Sequence, residues 1–364
     1  MGSTREQRYG WCTPKAQWLL LAMFVCGLAG ALAYAGPASD YTITPLPLPE
    51  GANGGYAHAI GPAGTVGGGV LWMPHGTIEA LPLAAGMTGA VAFGISDNGW
   101  IVGHCGTDTG QQAAVWQPGE APLDIGTACG FASSRALGVN NRGEVVGYCC
   151  DVSGDRDGFY WSEASGPIAF DALGGTRTTL SSINDDGVAV GIVELPDHIT
   201  THAFRWTAST GAVDLYLDHP DRDCTARGIN SEGDIVGLAE KADGTKVPAL
   251  WVGGSGDPVF AHIGWGSAWD ISDTGIIVGR CGFEPDRSEP HYAFVWDGAD
   301  AFNILPGLGG EREVAEAVND AGWVAGWVRN LDGCEVPVVW VPEPATLAML
   351  AVGGLAVMRR RRRA

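Results

Sequence analysis

Gly94-Ile95-Ser96-Asp97-Asn98-Gly99-Trp100-Ile101-Val102-Gly103 is one of seven variants of a single ten-residue phrase. The others read AIGPAGTVGG (59–68), GVNNRGEVVG (138–147), SINDDGVAVG (182–191), GINSEGDIVG (228–237), DISDTGIIVG (270–279) and AVNDAGWVAG (317–326). An Ile or Val, a Ser or Asn, two polar residues, a Gly and a β-branched pair describe a tight hairpin. The polar side chains bond their own backbone to set the turn, and glycine supplies positive φ. The turn glycines are Gly99, Gly143, Gly187, Gly233, Gly275 and Gly322, and the Asp residues beside them read as turn formers rather than chelators. After each phrase comes a tryptophan: Trp72, Trp116, Trp161, Trp206, Trp251, Trp296 and Trp340, spaced by 44 or 45 residues. So strict a period means one supersecondary unit repeated.

Two more positions repeat. Three residues before the Ile or Val stands Ala57, Ala92, Ala136, Ala226, Ala268 or Ala315, and the residue one before it is small in six copies, Asp270 being the exception. A strand with small residues on one face crowds other backbones, as the innermost strands of a ring would. Each copy therefore predicts strand A before the turn, strand B after it, strand C ending near the Trp, and strand D beyond, such as Pro167–Leu173 and Ala301–Pro306. No D strand follows Trp340, but Tyr41–Leu48 offers one ahead of the first A strand. The expected fold is all-β: a seven-bladed β-propeller over residues 41–340, its last blade taking three strands from one end and one from the other, with no open edge. A linear solenoid would not predict complementary ends.

The two ends carry addresses. Arg5, Arg8 and Lys15 precede an apolar run from Trp18 to Ala33 and the small-residue site ending at Ala35, so residues 1–35 read as a signal peptide. At the other end, 341–364, Pro342-Glu343-Pro344 leads into an apolar stretch and then Arg359, Arg360, Arg361, Arg362 and Arg363. The 14 residues 345–358 would reach about 21 Å as a helix, short of a hydrocarbon core of about 30 Å, and so predict a marginal, transient membrane anchor. The arrangement resembles the bacterial PEP-CTERM sorting signal. That resemblance implies an exosortase-type processing protease as partner and a destination at the cell surface or outside it. The repeats in turn resemble the HAF family of extracellular repeats: His202-Ala203-Phe204 matches the His-Ala-Phe signature in full and Ala293-Phe294 in part. This likeness implies an extracellular protein and carries no catalytic residues.

Without residues 1–35 and 341–364, which hold eight basic and two acidic side chains, 13 basic and 39 acidic groups remain and the net charge is −26. Nucleic acid is a poor partner for such a field; calcium, cationic groups and neutral glycans are better ones. Seven cysteines remain in this exported body, and the one pairing expected is Cys129 with Cys149 or Cys150, across the third hairpin.

For chemistry, the variable B–C loops (192–201, 148–158 and 280–290) place recognition on the face opposite the A–B turns. Within one of them, Asp155 and Asp157 are the only metal candidates, loosely like a calcium loop but without its later acidic ligand. His58, Arg227, Asp270 and Glu316 are the polar residues on the inner strands, where a catalytic propeller would keep its acids. No phosphate loop, nucleophile elbow or zinc motif is present. The expectation is a non-catalytic binding or matrix component linked to extracellular polysaccharide or surface proteins, with no cofactor. A glycan hydrolase or lyase and a purely structural spacer are the alternatives.

Overall fold

The computed structural model describes residues 41–343 except 84–85, 109, 127–129, 131, 171, 198–199, 284–289 and 300. The signal peptide with Ala35, the residue Cys129, Pro344 and the tail with Arg359 to Arg363 lie outside the described residues.

Each copy of the phrase joins two antiparallel strands. The A strands are β2 (Ala57–Ile60), β6 (Thr88–Ile95), β10 (Ser133–Val139), β14 (Arg177–Ile183), β18 (Cys224–Ile229), β22 (Trp265–Ile271) and β26 (Gly309–Val318). Strand order gives five four-stranded sheets and one of eight strands, the latter being two meanders joined by one parallel bridge, Arg156 to Arg177. The last sheet is assembled from both ends: β1 (Tyr41–Pro45) pairs with β28 (Glu335–Pro342), in register from Tyr41 opposite Pro342 to Pro45 opposite Val338. The D strands are shorter than the sequence suggests; Gly166–Phe170 and Phe302–Ile304 are ordered as strand where longer runs were expected. The A strands touch one another in chain order, and β26 also touches β2.

The phrase works as a turn for the expected reason. Gly99, Gly143, Gly187, Gly233, Gly275 and Gly322 all have φ between 74° and 87°, where only glycine sits without strain. The Ser or Asn two residues after the small position closes the loop: Asn184 Oδ1 accepts from the Asp186 and Val188 amides at 3.1 and 3.0 Å.

A further regularity was not legible in the repeats. Every A strand carries a β-bulge at the residue between its Ala (Leu180 in one copy) and its small residue: His58, Phe93, Leu137, Ser181, Arg227, Trp269 and Glu316. A bulge inserts an unpaired residue and bends the strand. The bend pushes the carbonyl two residues earlier into strand B, at the last glycine of the phrase. A Cβ on Gly103, Gly147, Gly191, Gly237, Gly279 or Gly326 would collide with the carbonyl oxygen of Val91, Arg135, Thr179, Thr225, Ser267 or Val314. That glycine is fixed by close approach, not by φ.

The small position is also explained by contact. A Cβ on Gly138 would lie 3.0 Å from Ser182 Cα, and one on Gly228 3.0 Å from Asp270 Cα. Neighbouring A strands therefore meet backbone to backbone at this level and form a neck.

Core packing lies in the seams between copies. Trp340 is fully buried and packs with Ile276, Val278 and Leu305 of the preceding copy. Trp251 packs with Val190, Ala203 and Tyr216 of the preceding copy. Trp72 joins Ala317, Ala325 and Val339, so first and last copies share a core. Several indoles also donate across the seam: Trp72 to Pro47 O at 2.7 Å, Trp116 to Pro82 O at 2.7 Å and Trp340 to Pro306 O at 2.8 Å. His202 lies 2 % exposed. Its Nδ1 is 2.7 Å from Asp214 Oδ2, staples strand C to strand D, and is held above the usual histidine range by that carboxylate.

Strand pairing runs two residues past the last Trp of the period. Strand β28 continues past Trp340, and Val341 and Pro342 pair with Thr42 and Tyr41. Edge pairing with β1 satisfies two more residues than the Trp period suggested, so the folded body extends into the Pro-Glu-Pro segment.

Candidate functional site

Above and below the neck the axis is lined differently. On the A–B-turn side, all seven turns surround a cavity of about 190 Å³, lined among others by Asp97, Asn141, Asp185, Ser231, Asp273 and Asp320. These side chains tie successive turns together. Asp185 Oδ1 accepts from Asn141 N at 2.8 Å, Asp273 Oδ1 from Ser231 N at 2.7 Å, and Asp320 Oδ1 from Asp273 N at 2.8 Å. The asparagines do the same with their amides: Asn140 Nδ2 donates to Asn184 O at 2.9 Å and Asn184 Nδ2 to Asn230 O at 3.0 Å. Asn319 Nδ2 donates to Gly61 O at 3.0 Å, from the last copy to the first. Burial, then the Asp273 charge, raises the Asp320 carboxyl above its ordinary value. The Asp residues of the phrase thus bond the neighbouring turn, whereas the Ser or Asn before them closes its own.

On the other side of the neck, several of the bulge residues and of the residues that follow a terminal glycine meet within and between copies. His58 Nδ1 lies 2.5 Å from Glu316 Oε2, and Trp327 Nε1 donates to Glu316 Oε1 at 2.8 Å. Tyr56 stacks on His58 with centroids 5.8 Å apart and meets Trp327 edge-on at 5.4 Å. The row continues from His58 to Phe93 at 5.0 Å and from Phe93 to His104 at 5.5 Å. Burial, then the Arg135 charge, pushes His104 down to about 4, so it is neutral at pH 7. In the other direction, the Arg227 guanidinium lies 4.9 Å and that of Arg280 5.7 Å from the Trp269 ring centroid. Burial lowers both guanidinium pKa values, with a neighbouring guanidinium as the next cause.

Of the four polar residues singled out on the inner strands, His58 and Glu316 are hydrogen-bonded to each other and Arg227 stands at the Trp269 cluster. Asp270 is apart from them: it lines the turn-side cavity, with Oδ1 accepting from Ile271 N at 2.9 Å and Oδ2 from Val318 N at 2.9 Å. It follows the bulge by one residue and so faces the opposite side of the neck. Tyr56, Phe93, His104, Trp269, Arg280 and Trp327 were missed. For all but Tyr56 the signal was available: large, varied residues at two repeat positions whose neighbours scarcely vary.

The turn that leads from strand B to Asp155 is closed by Asp151, whose Oδ1 accepts from Ser153 N at 2.7 Å and Asp155 N at 3.0 Å, while Asp157 lies within strand Arg156–Ser162. Among the described residues no group of three or more His, Cys, Asp or Glu side chains is placed to hold a metal ion. The Cys149 thiol is buried and donates to Asp157 O at 3.6 Å; its expected partner Cys129 is outside the described residues. Among the described residues no helix is long and apolar enough to cross a membrane.

Residues 341–363 match the model of the PEP-CTERM protein-sorting motif. No curated protein matches the chain. Among solved structures, the chain is similar to the BP39L lectin from Burkholderia pseudomallei, with 11 % identity over 84 % of this chain and 96 % of that one and a TM-score of 0.45. It is similar to TolB from Acinetobacter baumannii, with 12 % identity over 83 % and 79 % and a TM-score of 0.43. A third is the six-bladed β-propeller lectin of Aleuria aurantia, with 13 % identity over 70 % and 95 % and a TM-score of 0.40. Likenesses of this size carry no argument about what the chain binds. The sorting motif does carry one: the protein is exported and processed by exosortase to reach the cell surface or extracellular space.

Proposed function

We propose that the chain is a seven-bladed β-propeller of HAF-type repeats that serves at the cell surface as a non-catalytic binding or matrix component, linked to extracellular polysaccharide. The observation that carries the binding reading is the row of aromatic and charged side chains at the bulge positions. A ring of copied blades would be free to repeat one residue there. Instead His58, Phe93, Arg227, Trp269 and Glu316 differ from copy to copy on an otherwise uniform scaffold. Aromatic faces with a few fixed polar groups are the usual furniture of a ligand site. The absence of catalysis is supported by the state of the acids: both oxygens of Asp270 and both of Glu316 already accept from protein donors.

The test is a glycan-array screen of the tail-processed protein, with and without calcium, beside an assay for new reducing ends on any polysaccharide retained. Retention without cleavage supports the reading. Cleavage abolished by Glu316→Gln with the fold intact would establish the hydrolase or lyase instead, and no retention in either condition leaves only a structural spacer.

A further inference from the structure

The two halves of the bulge row have different chemistry. Around His58 the polar groups are matched, with the two Glu316 oxygens meeting the imidazole and the Trp327 indole. Around Trp269 they are not. Arg227 and Arg280 both approach one indole face-on or nearly so, at 4.9 and 5.7 Å. Among the described residues neither guanidinium has a carboxylate within ion-pair distance. Arg227 Nε, Arg280 Nε and Trp269 Nε1 are buried and have no hydrogen-bond partner. Arg312 adds a third positive charge near Arg280, and the one acid that acts on both arginines is Glu316, whose two oxygens are already taken. Half-buried like charges and unsatisfied donors are costly unless something else satisfies them.

This electropositive spot sits in a body whose net charge is −26, so it is not part of a general basic surface. A guanidinium fork matches the geometry of a carboxylate or a phosphate-like oxyanion such as sulfate, and stacking on an indole holds the fork in place. We propose that the Arg227–Trp269–Arg280 cluster binds an anionic sugar unit, its carboxylate or sulfate held by the two guanidinium groups that Trp269 backs. The assignment rests on the binding reading above and specifies its ligand. At physiological ionic strength the Debye length is about 8 Å, and recessed contacts are screened much less than exposed ones. The site therefore suits a short acidic unit or chain end that enters the ring, and not a polyanion lying along the outside.

The test is calorimetric titration of the tail-processed protein with three oligosaccharides of equal length: one uronate, one sulfated and one neutral. The expected result is binding of one or both acidic oligomers, at least tenfold tighter than the neutral one, and at least a tenfold loss in Arg227→Gln and in Arg280→Gln. Arg280→Lys, which keeps the charge but loses the fork, should fall between, and it stands in if a Gln variant does not fold. Unchanged melting temperatures establish that the variants are intact. Equal affinity for neutral and acidic oligomers, or wild-type binding of acidic oligomers by the intact Arg variants, overturns the assignment while leaving the binding reading in place. Failure of all three oligomers in this titration also overturns it. The broader binding reading falls only if the glycan array is empty as well.

Discussion

At the scale of single residues, a glycine that ends the phrase and a glycine in the loop that follows it look alike in sequence and do different work. Gly147 has no room for a side chain, because the bulged strand aims the Arg135 carbonyl at its α-carbon. Gly154, in an exposed loop, has positive φ and nothing within 4 Å of a Cβ. Gly147→Ala should cost about 3 kcal/mol or more through steric displacement of a strand, whereas Gly154→Ala should cost about 1 kcal/mol from backbone conformation alone. Urea unfolding of the two variants checks the contrast, and similar midpoints would remove the close-approach argument. Asp270 gives a pH signature. Burial pushes its carboxyl from 3.8 up to about 7. A carboxyl with a raised folded value binds its proton more tightly when folded, so its contribution is full below about 4 and is lost as pH rises to about 7. That amounts to about 4 kcal/mol at most. Asp270→Asn should flatten the fall in stability between pH 4 and 7 relative to wild type. The slopes are to be compared rather than the levels, since Glu313 is also raised to about 7 and adds a fall of its own. Parallel curves for wild type and variant would show that Asp270 does not titrate in this window.

At the scale of elements, the hairpin turn and the seam prove to be one device. Asn184 caps its own turn through Oδ1 and reaches the next turn through Nδ2. Ser272 at the equivalent place caps its turn, with Oγ accepting from Ile276 N at 3.1 Å, and its side chain is too short to do both. Asn184→Ser should therefore keep the turn and lose the seam bond, costing about 1 kcal/mol, while Asn184→Ala should lose both and cost about 2–3 kcal/mol. Thermal melts of the two variants separate the effects, and equal losses would mean that the seam bond contributes nothing. The turn was legible in the sequence because polar residue, glycine and β-branched pair are local chemistry. The seam was not, because its partner lies about 45 residues away and only docking of two copies brings it near. The bulge was hidden for a similar reason: the small position and the Ala position fit one face of an unbroken strand equally well, and only the ladder registers the extra residue between them.

At the scale of the whole molecule, first and last copies are joined three ways: β1 with β28, Trp72 with Ala325 and Val339, and Asn319 with Gly61. Deleting Tyr41–Pro45 should leave β28 as an open edge and cause concentration-dependent association, because unpaired strand edges template pairing with other chains. Size-exclusion chromatography over a range of concentrations checks this; a monomer at all concentrations would show that the edge is otherwise protected. The same pairing reaches the sorting motif, which begins at Val341, opposite Thr42.

The sequence by itself determined the unit, its number of copies, the hairpin and the export address, because each is written in contiguous residues or in a strict period. It also pointed to His58, Arg227, Asp270 and Glu316 as unusual. Only the tertiary structure decided which of them share a site. The bulge turns His58, Arg227 and Glu316 to one side of the neck, and Asp270, one residue further on, lines the other. That sorting depends on where each strand meets its neighbours, and no single copy contains the contact that sets it.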